Sequence, residues 1–294
     1  MKLLISLNTL ELETYLKFTN SFIIGLKDYC VNYYEASISD IEKVLNKYPT
    51  IELFVSLNKN IFNDDLQELK IMLMQLTKIK IKGLIFYDLS ILNMVKGLDL
   101  DIPLVIAQDH LITNYNICNY YCEKGVEYAY LSSDITKDEI IEISKKSNIK
   151  LMTFFFGNIL ITHSKRKLLT NYYEYYNIAH REKSGLIKEK NKEEETYYIE
   201  ENKIGTNILT KKILNGADFF YELKDKIEYA ILDSNVRDDK FNNFLDIVEL
   251  YSLALKEKIS EEEFVEKNKK IMGKELYSGF FDKKTIYKVK WWKK

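Results

Sequence analysis

Little in the chain punctuates a fold and nothing staples one. Only two prolines and ten glycines occur in 294 residues, and cysteine appears three times, at positions 30, 118 and 122. Three thiols cannot all pair, and a secreted domain held by disulfides would be far richer in them. Charge of neither sign is in excess: 44 acidic and 43 basic residues leave −1. That removes the footprint of a dedicated, strongly basic nucleic-acid binder but leaves room for a local basic patch. No apolar run approaches the ~20 residues that span a bilayer. The opening Leu3-Leu4-Ile5-Ser6-Leu7 is closed by Glu11 and Glu13, too short for a secretory signal. These absences predict a cytoplasmic protein without membrane contact. What is present, 46% hydrophobic residues, is enough to close a core in one or at most two domains.

Eight short runs rich in β-branched and aromatic residues recur along the chain: Leu3–Leu7, Ser21–Leu26, Ile51–Leu57, Gly83–Tyr87, Leu104–Ala107, Glu127–Leu131, Leu151–Phe156 and Glu228–Leu232. Near-continuous apolarity over four to seven residues suits a strand covered on both faces. Between them lie stretches with helical spacing, among them Thr136 with Glu139 as a capping box before Ile140, Ile141 and Ile143. The alternation predicts an α/β fold, a (β/α)₈ TIM-type barrel over residues 1–257. The competing doubly wound sheet would need a glycine-rich turn after the first strand, where Asn8-Thr9-Leu10 stands instead. An insertion is expected at 171–206, between strands seven and eight. Its charge run Lys188–Glu195 reads as a solvated loop. Residues 258–294 are expected to add a helix and a tail, ending Lys290-Trp291-Trp292-Lys293-Lys294, packed on the barrel.

A barrel of this kind carries its active site at the carboxyl ends of the strands. Reading just past each run gives a polar rim that includes Asn58 and the carboxylates Asp88, Asp109, Asp134 and Asp233. Converging carboxylates can bind a divalent cation or act as acid and base, but polar mouth residues also cap helices in any barrel. No metal-ligand spacing is present, so no metal is expected. The histidines, His110, His163 and His180, read either as surface residues or as additions to the rim. Cys118 and Cys122 share a helix face and, with no third or fourth thiol nearby, read as structural.

The segment Phe156-Gly157-Asn158-Ile159-Leu160-Ile161-Thr162-His163-Ser164-Lys165-Arg166-Lys167-Leu168-Leu169-Thr170-Asn171-Tyr172 resembles a signature of the collagenase-like peptidases, the unknown-type peptidase family numbered 32. That block reads roughly F-x-H-G-x-x-C-x-S-x-S-G-x-C-x-x-S-N-Y. Gly157, Ser164, Leu168, Leu169, Asn171 and Tyr172 match it. Collinear similarities extend the resemblance at Val55–Asn58, Tyr87-Asp88-Leu89, Thr113-Asn114, Leu131–Thr136, Ile204–Ile208 and Ser278–Phe281. The resemblance implies the barrel. It implies, for some members, protein degradation, and for others the hydroxylation of tRNA, ribosomal RNA or ubiquinone precursors with an iron–sulfur cluster on four cysteines.

The departures fall on the chemistry. Leu160 and Lys167 occupy the block's two cysteine positions, and Gly185–Lys192, where a second pair would fall, holds none. Met152 replaces a glutamate, Ser133 an arginine and Lys165 a glycine. Leucine and lysine cannot replace thiolates on iron, so no cluster and no other cofactor is expected. The leading expectation is a cluster-free barrel that binds RNA, a small molecule or a cysteine-bearing homologous partner. The alternatives are a peptidase or hydrolase using Asp88, Asp109, Asp134 and Asp233, or an accessory to RNA hydroxylation. Substrate contacts are expected from Asn58, His163, Ser164, Arg166, Asn171 and Tyr172. Arg166 reads either as an anion clamp or as an ion-pair partner of the acidic 189–201 stretch.

Overall fold

The computed structural model describes residues 1–179, 181–190, 192–238 and 240–283. In chain order the elements are β1 (Lys2–Ser6), β2 (Ser21–Leu26), β3 (Glu35–Ala36), α1 (Ile38–Lys47), β4 (Glu52–Leu57), α2 (Leu66–Leu76), β5 (Gly83–Phe86) and α3 (Leu89–Gly97). Next come β6 (Leu104–Ile106), α4 (Tyr115–Glu123), β7 (Tyr128–Tyr130), α5 (Lys137–Lys146), β8 (Lys150–Gly157), β9 (Leu160–Ser164) and α6 (Leu168–Tyr175). The chain continues through β10 (Ser184–Glu189), β11 (Lys192–Glu201), β12 (Thr206–Thr210), β13 (Leu214–Asn215), α7 (Ala217–Leu223), β14 (Tyr229–Asp233), α8 (Phe244–Leu255) and α9 (Glu261–Met272).

The eight apolar runs are eight parallel strands that close on themselves. The ring runs β1-β2-β4-β5-β6-β7-β8-β14 and returns to β1, so it has no free edge. This is the (β/α)₈ barrel the alternation predicts. Helices follow as their caps dictate: Ser37 accepts from the Asp40 amide at α1 and Asn114 from the Ile117 amide at α4. The Thr136–Glu139 capping box opens α5, with the Thr136 amide donating to Glu139 Oε2 at 2.7 Å. One unit departs from the pattern. Between β1 and β2 the chain makes hydrogen-bonded turns over Leu12–Thr19 in place of a helix.

Side chains alternate between the barrel interior and the helix layer. On β4 the interior series is Glu52, Phe54, Ser56 and then Asn58 just past the strand. Phe54 meets the rings of Tyr128 and Tyr229 at 5.7 and 5.2 Å in the middle of the barrel. Below them Glu52 closes the amino end. It accepts from Lys2 Nζ at 2.7 Å, Ser21 Oγ at 2.8 Å and the Tyr229 hydroxyl at 2.8 Å. Burial alone would raise its pKa, but these bonds outweigh it and hold the group at about 2. Glu52→Gln is therefore expected to cost about 1–2 kcal/mol near pH 7. The folded pKa lies below the unfolded one, so the wild-type advantage is full above about 4.5 and fades as pH falls towards 2. Urea unfolding at pH 7 and pH 3 checks it: an equal difference at both pH values rules the account out.

The connection from β8 to β14 holds a second layer. Strands β9 to β12 form an antiparallel sheet in the order β10-β11-β12-β9. It draws on residues 160–210, beyond 171–206 on both sides. The charge run is a correction to the loop reading: residues 184–189 and 192–201 pair as a hairpin, with Leu186 opposite Tyr198. On β10 Ser184, Gly185, Leu186 and Lys188 are exposed, and a strand that faces water carries charge freely, so it gave no apolar alternation to read. Towards the C-terminus α9 and the segment after it lie on the barrel's outside. Phe264 is buried against Phe220 and Tyr251, and Phe281 packs on Phe155 at 5.4 Å. The Trp291-Trp292 tail and His180 lie outside the described residues.

Candidate functional site

At the carboxyl ends of the strands the barrel opens into a cavity of about 160 Å³. Six of the eight barrel strands deliver inward residues there: Ser56 and Asn58 from β4, Tyr87 after β5, Ala107 and Asp109 after β6, Tyr130 from β7, Phe154 from β8 and Asp233 from β14. The remaining wall comes from the loop after β2, with Val31, Asn32 and Tyr33, and from Asn158–His163, where the inserted sheet begins. The family-like segment thus folds across the barrel mouth.

Of the four rim carboxylates, two share this cavity. Asp233 is buried, and its Oδ1 accepts from Ser6 Oγ, from the Asn235 amide at 3.0 Å and from Asn235 Nδ2 at 3.1 Å. It ties β1 to β14, and among the described residues no hydrogen bond reaches its Oδ2. Asp109 has no hydrogen bond or ion pair among the described residues. Burial pushes its carboxyl up to about 6, opposed by neighbouring His110 and reinforced by Asp134. Asp134 stands at the exposed rim with its Oδ2 2.8 Å from His110 Nδ1, and this bond raises the imidazole's pKa despite partial burial. Tyr33 and Tyr130 line the same cavity, and burial followed by the nearby carboxylates keeps both hydroxyls protonated.

Asp88 corrects the expectation of four converging groups. It caps α3 through the Ser90 amide at 2.9 Å and accepts from the Ile61 amide at 3.0 Å, outside the cavity wall. Asn58 does reach the cavity, where its Oδ1 accepts from the Val31 amide at 2.9 Å and its Nδ2 donates to Asn32 at 2.6 Å. His163 reaches it from β9, held at 2.8 Å by its cross-strand neighbour Asn207. Asn207 Nδ2 donates to the Val31 carbonyl at 2.6 Å, leaving Oδ1 to accept from Nδ1–H of His163. Ser164, Arg166, Asn171 and Tyr172 do not line the cavity. Ser164 Oγ instead accepts from the Arg166 amide at 3.2 Å, and Arg166 is exposed, with no ion pair among the described residues. Arg166 therefore stands outside the cavity, and the side chains of 189 and 191–195, which the ion-pair reading needs, lie outside the described residues.

Three residues at or beside the mouth were missed by the sequence reading. Tyr130 could have been found, two positions from Tyr128 on the inward face of a strand. Tyr33 lies in a loop with no periodic signal. Arg237 follows the eighth strand by four residues and grips Glu200, Nε to Oε2 at 3.2 Å and Nη2 to Oε1 at 3.0 Å, joining the post-β14 loop to the inserted sheet.

A cluster on cysteines does not fit these residues. Leu160 stands in the cavity wall and Lys167 is exposed. Burial pushes the Cys30 and Cys118 thiols to about 12, far from the thiolate a metal needs. Cys122 Sγ donates to the Asn148 carbonyl at 3.6 Å. Among the described residues no three His, Cys, Asp or Glu side chains converge as metal ligands. The mouth offers instead a carboxyl pushed up to about 6 by burial beside an imidazole–carboxylate pair, with tyrosine hydroxyls around it. Such a set can exchange protons with, and hydrogen-bond, a small polar group.

Fold and mouth together define a parallel α/β barrel whose polar cavity is roofed by an inserted antiparallel sheet. Residues 23–290 match the family described as peptidase family U32, and the chain belongs to that family. The tRNA hydroxylation protein P2 of Bacillus subtilis (strain 168) is 25% identical over 252 residues, 80% of this chain and 81% of that protein. The tRNA hydroxylation protein P1 of the same organism is 22% identical over 148 residues, half of this chain and 35% of P1. The chain spans about a third of P1. Among solved structures, the U32 peptidase Mk0906 is 12% identical with a TM-score of 0.44, covering 53% of this chain and 69% of that one. Among the described residues no helix is long and apolar enough to cross a membrane.

Proposed function

We propose that this chain serves tRNA hydroxylation as a binding component without an iron–sulfur cluster, working beside a cysteine-bearing homologue. The observation that carries the reading is the composition of the mouth. Leu160 and Ser133 stand in the cavity wall at positions where the family resemblance places a cysteine and an arginine, while Asp109, Asp233, Tyr33, Tyr130 and His163 still enclose a polar cavity. The similarity to protein P2 over four-fifths of both chains supports the pathway. The loss of cluster ligands supports a binding role in it.

Deleting the gene is expected to deplete hydroxylated nucleosides in total tRNA, measured by mass spectrometry of digests, and the wild-type copy to restore them. An unchanged nucleoside profile refutes the reading. Anaerobically purified protein is expected to hold substoichiometric iron and sulfide. One cluster's worth of both per chain would end the cluster-free part.

A further inference from the structure

The helix α6 buries none of its residues, and its outward face is aromatic. Tyr172, Tyr175 and Tyr176 are 53%, 78% and 59% exposed, at i, i+3 and i+4 on one face. Tyr176 lies 4.9 Å, ring centroid to ring centroid, from both Tyr172 and Tyr175. Burying nothing and exposing three rings is a poor way to stabilise a helix, so the face is built for contact. Directly before it come Lys165, Arg166 and Lys167, all exposed and without an ion pair among the described residues. Residues 165–183 carry five lysines and arginines against two glutamates, in a chain whose net charge is −1. The nearby carboxylates are already matched: Glu174 with Arg181 at 3.5 Å, and buried Glu201 with Lys183 at 2.6 Å.

We infer that α6 and the three cations before it form a docking surface for single-stranded RNA, distinct from the cavity. The tyrosine faces stack on unpaired bases, which every base allows because each has a π-face. Lys165, Arg166 and Lys167 neutralise phosphates of the same strand. The eight-residue helix is about 12 Å long, so rings and cations lie within the span of a few nucleotides. The RNA class rests on the hydroxylation reading, whereas the surface rests on its own geometry. Lys165 Nζ already lies 3.5 Å from the centroid of the Phe62 ring, but an apolar protein partner would leave Arg166 and Lys167 uncompensated, which is why charge favours a polyanion here.

The test is fluorescence anisotropy of the full chain with bulk tRNA and with a labelled single-stranded oligonucleotide, at several salt concentrations. Changing Lys165, Arg166 and Lys167 together to alanine is expected to weaken binding at least tenfold. The slope of log K against log salt should flatten by about 2, at about 0.7 per phosphate contact. Changing Tyr172, Tyr175 and Tyr176 together to alanine is expected to weaken binding by a similar factor with the slope unchanged. These side chains are exposed, and circular dichroism checks that both variants fold. Wild-type affinity in both variants overturns the inference, as does undetectable RNA binding by the folded wild type. A change in oligomeric state by light scattering, with RNA affinity unaffected, also overturns it and assigns the patch to a protein. RNA binding that depends on the patch, with tRNA hydroxylation intact in the deletion strain, upholds the surface and sinks the pathway reading. The converse result does the reverse.

Discussion

Gly157→Ala is expected to lose about 3 kcal/mol or more of stability, a fall in Tm of about 6–12 °C. Gly157 ends β8 at φ +133°, a backbone state side-chain-bearing residues rarely adopt. A Cβ there would lie 2.7 Å from Asp233 Cβ and 2.9 Å from Phe154 Cζ. Neither neighbour can yield cheaply. Asp233 is tied to Ser6 and Asn235, and Phe154 is part of the cavity wall. The control is Gly97→Ala at the end of α3, where a Cβ would meet nothing within 4 Å and φ is not positive. There alanine is expected to be neutral or to stabilise by up to about 1 kcal/mol. Thermal unfolding of the two variants side by side decides the matter: equal Tm values would show that the approach of Asp233 to the β8 end is not a constraint.

The second large effect has the opposite sign. Asp109→Asn is expected to make the protein more stable at pH 8, by up to about 3 kcal/mol for a carboxyl raised from 3.8 to about 6. The folded pKa lies above the unfolded one, so between about 4 and 6 the native state holds more protons. Wild-type stability therefore falls as pH rises through that window, and the variant, which has no proton to lose there, does not follow. The two should coincide below about pH 4, separate between 4 and 6, and hold a constant gap above 6. Urea unfolding across pH 4–8 measures this, and a gap independent of pH would remove burial of the carboxyl as its cause. A group kept at such a cost is expected to serve the site. On the reading proposed above, the same variant should lower tRNA hydroxylation at least tenfold in a complemented deletion strain.

Legibility followed periodicity. The eight barrel strands were readable because each is covered on both faces and must be apolar throughout, and Thr136 with Glu139 marked α5 because a cap needs local residues only. The hairpin at 184–201 escaped because β10 faces water, and an exposed strand imposes no such pattern. In the site, reading just past each strand points to Asn58, Asp109 and Asp233, which line the cavity, and to Asp134, which pairs with His110 at its edge. The rule could not separate a cavity carboxylate from Asp88, because a helix cap and an acid at a barrel rim are the same residue type at the same offset.

Local chemistry, then, was settled by the amino-acid order alone: where strands begin, which helices are capped, that the cluster thiols are missing, and that three cations precede a run of tyrosines. Closure of the ring and the partners of each polar group were decided only by tertiary structure. Burial and pairing depend on residues far apart in the chain. Ser6 meets Asp233 across 227 positions and Asn207 meets Val31 across 176. A carboxyl's proton affinity is set by that assembled surrounding, which no neighbour in sequence supplies.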